Sequence, residues 1–342
     1  MIEILHPRYD RDRLTQLAAG HVRIVDTWPE SVNEYLAMAA LDSDLPAING
    51  DNPDAHTRWI YFPWRATLVR LPDSDVFHRL RTGRNRYLIT DAEQQRWAEA
   101  TIAVAGLSVG ASLLHTCVLT GCRRFRIADG DTLGPTNLNR LTGSVCDLGM
   151  KKSLLAHRRM LETDPYLSVD VFSSGVMPST AREFVSGGEG VARADVVLEE
   201  VDDLPTKVEL RRQARAAGAP LVMVTDDGDN VIVDVERYDL DPNYPAFHGS
   251  VGDIESWGEA DLRDPRHRMW LVGSIVGDDI SPRVSEAFAV VGRRIPSWPQ
   301  LGTASTAAGA VGACVARRIV CGDAVLSGRA RVRIDNLVFD AR

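Results

Sequence analysis

The chain has no C-x-x-C pair; its five cysteines, Cys117, Cys122, Cys146, Cys314 and Cys321, are odd in number and widely spaced. That argues against a disulfide framework and against a cysteine-based zinc site. Basic residues are not in excess either. Lys and Arg total 39 against 47 Asp and Glu, a formal charge of −8. The stripe of positive charge that nucleic-acid binding requires is missing, so DNA and RNA are not expected partners.

Long apolar runs are scarce as well. The opening MIEILHPRYDRDR is charged throughout and lacks the apolar core of a secretory signal. The most apolar stretch, residues 304–320, is interrupted by Ser305, Thr306, Arg317 and Arg318, and no stretch approaches a membrane span. The expectation is a cytoplasmic protein that engages no membrane. A content of 44% hydrophobic and 25% charged residues is that of a globular protein, and 342 residues allow one large domain or two modest ones.

What is present is concentrated in residues 102–152, IAVAGLSVGASLLHTCVLTGCRRFRIADGDTLGPTNLNRLTGSVCDLGMKK. Residues 101–105 are apolar and bounded by Gly106, which predicts a buried strand. Leu113, Leu114, Cys117 and Val118 recur at helical spacing and Gly121 stands in the stop position, so residues 111–120 read as a helix. Residues 123–128 read as the next strand, 151–163 as a helix and 168–172 as another strand. A second such unit follows: a strand at 195–198, the acidic EEVDD, a helix opened by Pro205 and closed by Gly218, then PLVMV. Strands alternating with helices imply an α/β fold: a Rossmann-like, doubly wound, mostly parallel sheet with helices on both faces and ligands at the C-terminal strand ends.

Residues 1–85 carry no nucleotide signature and are expected to form a small N-terminal α+β region, leaving 86–342 as the main domain. The aromatic run WIYFPWR, with Trp59, Tyr61, Phe62 and Trp64, is broken by Pro63 and reads as an edge strand or extended arm. Residues 239–267 are acidic and rich in Pro and Gly, as in a long crossover loop. The small residues of STAAGAVGACVARRIV suit a helix that approaches the sheet closely, and RARVRIDNLVF reads as a last strand.

Gly106, Ser108, Gly110 and Ala111 lie between a strand and a helix, where backbone N–H groups and the helix dipole favour an anion. The pattern is a degenerate G-x-G-x-x-G, with Ser108 and Ala111 in place of the later glycines. Asp129 ends the next strand, the position from which a carboxylate hydrogen-bonds ribose hydroxyls. Together they predict an adenosine site. Asn137, Arg140 and Lys152 follow and put positive charge and an amide behind the nucleotide turn. Nucleotidyl transfer needs such groups, because charge builds up on the phosphoryl oxygens and the leaving pyrophosphate in the transition state. Asp202, at the next strand end, is placed to hold a Mg²⁺ that bridges those phosphates.

Rival chemistries fit parts of the pattern. GLSVG, residues 106–110, also satisfies G-x-S-x-G, with Ser108 as a nucleophile and His248 or His267 as its base. That assignment leaves Asp129, Arg140 and Lys152 without tasks. A nicotinamide or flavin oxidoreductase would use Gly106 and Asp129 but has no need of charges aimed at phosphates. A catalytically silent subunit that dimerises and holds nucleotide stays open.

The ordered set resembles the ThiF/MoeB and ubiquitin-activating-type adenylyltransferases. Their Gly-rich turn, D-x-D strand end, S-N-L-x-R and G-x-x-K are matched by GLSVGAS, Asp129-Gly130-Asp131, Asn137-Leu138-Asn139-Arg140 and Gly149-Met150-Lys151-Lys152. A later D-N-x-x-T-R/K is matched by Asp202-Asp203-Leu204-Pro205-Thr206-Lys207. WIYFPWR, RNRYLIT and DVERYDL further resemble a bacterial subgroup of ThiF-domain proteins, some fused to nitroreductase domains. The resemblance implies that Asp129, with Asp131 beside it, holds the ribose end of ATP, that Asn137, Arg140 and Lys152 bind its phosphates, and that Asp202 positions Mg²⁺. It implies a homodimer, with Arg140 acting across the interface in some relatives. It also implies attack of a carboxylate on the α-phosphate of ATP, giving an acyl adenylate and pyrophosphate for amide, thiocarboxylate or ring formation. The carboxylate would belong to a peptide, a ubiquitin-like protein or a small acid. The zinc-binding cysteine pairs of many relatives are not matched, so no zinc is expected. With no cysteine between Cys146 and Cys314, a thioester relay is not expected either, and Cys146 reads as a small buried thiol.

Overall fold

The computed structural model of the protein describes residues 1–42, 45–46, 48 and 53–337. They fall into two compact units, Met1–Gln94 with Met160–Leu167, and Gln95–Arg159 with Ser168–Arg342.

In the first unit, β1 (Glu3–Leu5), β2 (Arg23–Asp26), β3 (Thr57–Phe62) and β4 (Thr67–Pro72) form a sheet in the order β1-β3-β4-β2. Helices α1 (Arg11–Ala18), α2 (Trp28–Ala39), α3 (Pro53–His56) and α4 (Ser74–Thr82) accompany it. The aromatic run is therefore an interior strand and not an edge or an arm, since β3 pairs antiparallel with both β1 and β4. The reason is where Pro63 falls: just past the strand, in the 3₁₀ turn Pro63–Arg65, where no ladder hydrogen bond is lost. Side chains alternate as a pleated strand requires. Ile60 and Phe62 pack with Leu71, Trp64 and Tyr166, while Trp59 and Tyr61 cover Leu5, Leu17 and Leu68.

Helix α5 (Asp91–Glu99) leads into the main sheet. Its elements are β5 (Thr101–Ala105), α6 (Gly110–Leu119), β6 (Arg124–Ala128), α7 (Lys152–Thr163), β7 (Ser168–Phe172), α8 (Ala181–Ser186), β8 (Val196–Glu199), α9 (Leu204–Ala217), β9 (Leu221–Asp227) and β10 (Asn230–Glu236). They continue through α10 (Glu259–Leu262), α11 (Pro265–Val276), α12 (Pro282–Phe288), α13 (Gly302–Cys321) and β11 (Gly328–Val332). The order is β11-β10-β9-β8-β5-β6-β7, with β9, β8, β5, β6 and β7 parallel and β10 and β11 antiparallel to their neighbours. Both faces are covered. Ala103 and Ala105 of β5 pack with Phe184 and Val185 of α8 and Leu210 and Ala214 of α9. On the opposite face α13 lies against α6 and β9, so closely that a Cβ on Gly309 would fall 2.7 Å from the Ser112 carbonyl oxygen.

Helix α13 has 20 residues and is long and apolar enough to cross a membrane, with a mean hydropathy of 1.2, which the sequence reading of residues 304–320 did not anticipate. Its small-residue face, including Ala304, Ala308, Gly309 and Gly312, is buried in the unit. The segment 239–267, expected as an open loop, is partly helical: it holds 3₁₀ turns at Ala246–Gly249 and Ile254–Ser256, then α10 and the start of α11. Arginines of α9 account for the order. Arg212 donates to the carbonyls of Glu255 and Trp257, and Arg215 pairs with the Glu255 carboxylate at 2.5 Å. The expected last strand is shorter than RARVRIDNLVF, and Val338 and Phe339 lie outside the described residues.

The strand order reverses between β5 and β8. In open α/β sheets the crevice at the C-terminal ends of such a pair is where ligands bind.

Candidate active site

At the end of β5 the chain turns through Gly106, whose φ is +86°. A Cβ there would lie 2.3 Å from the Glu200 carbonyl oxygen, so conformation and contact both demand glycine. Gly106→Ala is expected to lower stability by roughly 1–3 kcal/mol, read as a drop in Tm by scanning calorimetry; an unchanged Tm would mean that the turn relaxes freely.

Asp129 stands at the end of β6 and is 8% exposed. Its Oδ2 accepts from the Leu107 amide at 2.7 Å and its Oδ1 from the Asp131 amide at 2.8 Å. The carboxylate thereby fixes the turn after β5 to the loop after β6, and each oxygen keeps a lone pair for a ligand. Lys152 opens α7, and its Nζ donates to Asp131 Oδ2 at 2.9 Å. The lysine side chain is 8% exposed and that of Asp131 74%. The cation is thus held inside while its partner carboxylate is solvated, which leaves the positive charge to act on an anion in the cleft.

Arg140 reaches the turn after β5 from the loop between β6 and α7. Its Nε donates to Ser108 Oγ at 3.0 Å, and its Nη1 to the Thr136 carbonyl and Asn139 Oδ1. Burial lowers its pKa, against the pull of Asp226 and Asp202. Asp202 lies just beyond β8, exposed and without a hydrogen bond among the described residues. Next to it Glu200 is anchored by the Val224 amide at 2.8 Å, and burial with Glu199 alongside pushes its pKa well up.

Gly106, Ser108, Asp129, Asp131, Lys152 and Asp202 line one cleft of about 740 Å³. Gly110 and Asn137 do not line it. Gly110 opens α6 against Val104 and Glu200, and Asn137 Oδ1 accepts from the Gly134 amide at 2.9 Å, closing a local turn. Arg140 meets the cleft through Ser108, in its own chain. Neither histidine nominated as a base for Ser108 is bonded to it: His248 sits between Asp234 and Tyr244, and His267 faces the Asp261 carbonyl. Cys146, expected to be buried, is exposed, because it lies in the 3₁₀ turn Val145–Asp147 with no core beneath it.

Sequence reasoning missed much of the cleft wall. Val176, Met177 and Pro178 follow β7, and Leu262 and Arg263 come from the end of α10. No motif marks them; Arg263 is held there by Asp203, at 2.8 Å, and Glu259. Among the described residues no cluster of three or more His, Cys, Asp or Glu is arranged to hold a metal ion. The exposed Asp202 carboxylate fits a Mg²⁺ held chiefly by phosphate oxygens, since that ion needs only one or two protein carboxylates.

Residues 82–229, which contain this turn, loop and strand end, match the ThiF family. The chain carries a ThiF family domain. A Mycobacterium tuberculosis relative, the uncharacterized protein MT1398, is 37% identical over 298 residues, 87% of this chain and 41% of its own length. tRNA threonylcarbamoyladenosine dehydratase 2 of Saccharomyces cerevisiae is 25% identical over 137 residues, 40% of this chain and 30% of its own. The chain therefore spans less than half the length of these curated relatives. Among solved structures, that of PaaA shares the fold with a TM-score of 0.54 at 15% identity, covering 77% of this chain and 78% of that one. E. coli MccB gives 0.50 at 14% identity, covering 72% and 62%. The ThiF domain is thus the doubly wound, parallel-rich α/β fold that the alternating elements implied.

Proposed function

We propose that this chain is an ATP-dependent adenylyltransferase that converts a carboxylate into an acyl adenylate with release of pyrophosphate. A ThiF domain supports an adenylating enzyme in general. The observation that carries the reading is the convergence on one cleft of the Gly106 turn, the ribose-directed carboxylate of Asp129, the buried cation of Lys152 and the unpaired Asp202.

In this reading ATP lies across the strand ends with its base toward Val176, Met177 and Pro178 and its ribose on Asp129. Lys152 and Arg140 face the phosphates, Arg140 leaving Ser108 for an oxygen of the nucleotide. Asp202 holds Mg²⁺, which supplies further neutralisation of phosphate charge when bound. The substrate carboxylate oxygen forms a bond to the α-phosphorus as the bond to pyrophosphate breaks. The protein contributes position and charge, and no side chain forms a covalent bond in this step. The substrate is the C-terminus of a peptide or protein, or a small acid, and the acyl group goes to an external nucleophile, to sulfur or to a ring. The same reading takes the enzyme to be a cytoplasmic homodimer, for which sedimentation should show twice the chain mass.

The test is substrate-dependent exchange of labelled pyrophosphate into ATP in the presence of Mg²⁺, run over a panel of peptides and small acids. Exchange is expected. ATP binding without exchange across that panel would point to a silent subunit, and a copurified flavin, or NADH binding in place of ATP, would overturn the assignment. Asp202→Ala should reduce exchange by about 100-fold or more while leaving the melting curve unchanged, because the side chain is exposed and makes no hydrogen bond.

A further inference from the structure

Asp226 does not line the cleft. It lies near the C-terminal end of β9 with 4% of its surface exposed, and neither carboxylate oxygen has a hydrogen-bond partner among the described residues. Burial pushes its pKa up to about 6, against the pull of Gln300 and Arg140; the Gln300 side chain is near it, but not in the geometry of a normal hydrogen bond. A buried carboxylate with no donor is costly. Nearly all buried polar groups in folded proteins are paired, and the exceptions cluster where a ligand completes them.

Its position says which ligand. β8 and β9 pair in parallel with Glu199 opposite Met223; Asp226 follows within β9, and Asp202 comes past the end of β8. Arg140 is attracted by both. The cleft runs from the turn after β5 to the residues after β7, and over the start of α9 and α10. With the nucleotide on the β5 to β7 side, as the adenylation reading has it, the side toward β9 is left for the group that attacks the acyl phosphate. An anionic group with two vacant acceptors in a low-dielectric setting selects a cation that donates N–H bonds.

We propose that Asp226 is the binding site for the ammonium group of an amine acyl acceptor. This rests on the adenylation reading and deepens it, since it makes an amide the product. The amine nitrogen forms a C–N bond to the acyl carbon as the C–O bond to phosphate breaks, and AMP departs with the electron pair. Of the two protons lost by the ammonium, one passes to the Asp226 carboxylate and the other to the departing AMP phosphate.

The experiment compares thermal melts of the full chain in methylammonium chloride, tetramethylammonium chloride and sodium chloride at equal ionic strength. Methylammonium at ten times its Kd should raise the Tm of the wild type by about 2 °C, and tetramethylammonium, which has no N–H, should not. In Asp226→Asn the methylammonium shift should vanish, and the variant's own Tm should equal or exceed that of the wild type, because an unpaired buried charge has been removed. No methylammonium shift in the wild type, an equal shift with tetramethylammonium, a shift that persists in Asp226→Asn, or a variant that melts far below the wild type or does not fold would each overturn the proposal; the last outcome would make Asp226 a structural partner of Arg140. Pyrophosphate exchange by the wild type, measured without amine, separates this site from the adenylation reading: exchange without a methylammonium shift sinks only the site, whereas a shift without exchange sinks the adenylation and with it the acyl-acceptor role, leaving a bare cation site.

Discussion

Lys152→Ala is expected to slow pyrophosphate exchange by about 10²–10³-fold while the protein stays folded. The rate effect follows from the lysine's setting. Its side chain is 8% exposed whereas that of Asp131 is 74% exposed, so the charge stands in a medium where it acts strongly on a phosphate and its partner does not neutralise it fully. The small stability effect follows from the same asymmetry. Removing Lys152 leaves Asp131 in water, so no buried charge is stranded, and the pair is worth about 1 kcal/mol or less. Exchange rates and melting curves of wild type, Lys152→Ala and Lys152→Arg settle the point together. An arginine cannot reproduce a compact ammonium in an enclosed position, so partial recovery at most is expected. A Lys152→Ala rate within about threefold of wild type would mean that the phosphates lie elsewhere.

The parts of this site that were legible in the sequence are those whose local chemistry is self-contained. Gly106 announces a turn wherever it stands after an apolar strand; Asp129, Lys152 and Asp202 follow strand or helix ends whose positions the hydrophobic pattern gives. All four line the cleft. Asn137 reads as a phosphate-facing donor for the same local reason, an Asn near an arginine; its side-chain oxygen closes the turn from Gly134 and the residue does not line the cleft. The cleft wall at Leu262 and Arg263 was illegible. It depends on Arg212, Arg215 and Asp203 drawing an acidic, Gly-rich segment onto α9, and those pairings are 40 or more residues apart in sequence. Pro63 misled in the opposite sense: one residue decided between an interior strand and an edge, and composition cannot place a strand's last residue that finely. Asp226 carries no signal of its own in TDDGDN, where Asp227 and Asn230 are buried as well and differ from it only in being hydrogen-bonded.

Arg211→Ala is expected to be the most destabilising substitution in the ThiF domain considered, by about 3–5 kcal/mol, which lowers Tm by roughly 4–7 °C. Arg211 is fully buried between two buried carboxylates, with Nη1 2.9 Å from Glu199 Oε2 and Nε 2.9 Å from Glu236 Oε2, the latter an ion contact without hydrogen-bond geometry. Its guanidinium lies 3.6 Å from the centre of the Phe247 ring. Burial raises the pKa of Glu199, but Lys207 and Arg211 outweigh it and hold the group below the usual range; for Glu236 burial prevails and the pKa is raised from 4.5. Without Arg211, Glu199 keeps Lys207, and Glu236 keeps the Phe247 amide and the pull of His248. Glu236 would then take up a proton on folding. A carboxyl whose folded-state pKa is raised contributes stability that is present at low pH and lost as pH rises past its unfolded value, so the deficit of Arg211→Ala should be larger at pH 8 than at pH 5. Adding Glu236→Gln should recover part of it and flatten the pH dependence. An equal deficit at both pH values would mean that packing against Phe247, not charge, is what the arginine provides. Because Phe247 belongs to the segment that leads on to α10 and the cleft wall, the variant should also raise the KM for ATP in exchange, although Arg211 itself does not touch the cleft.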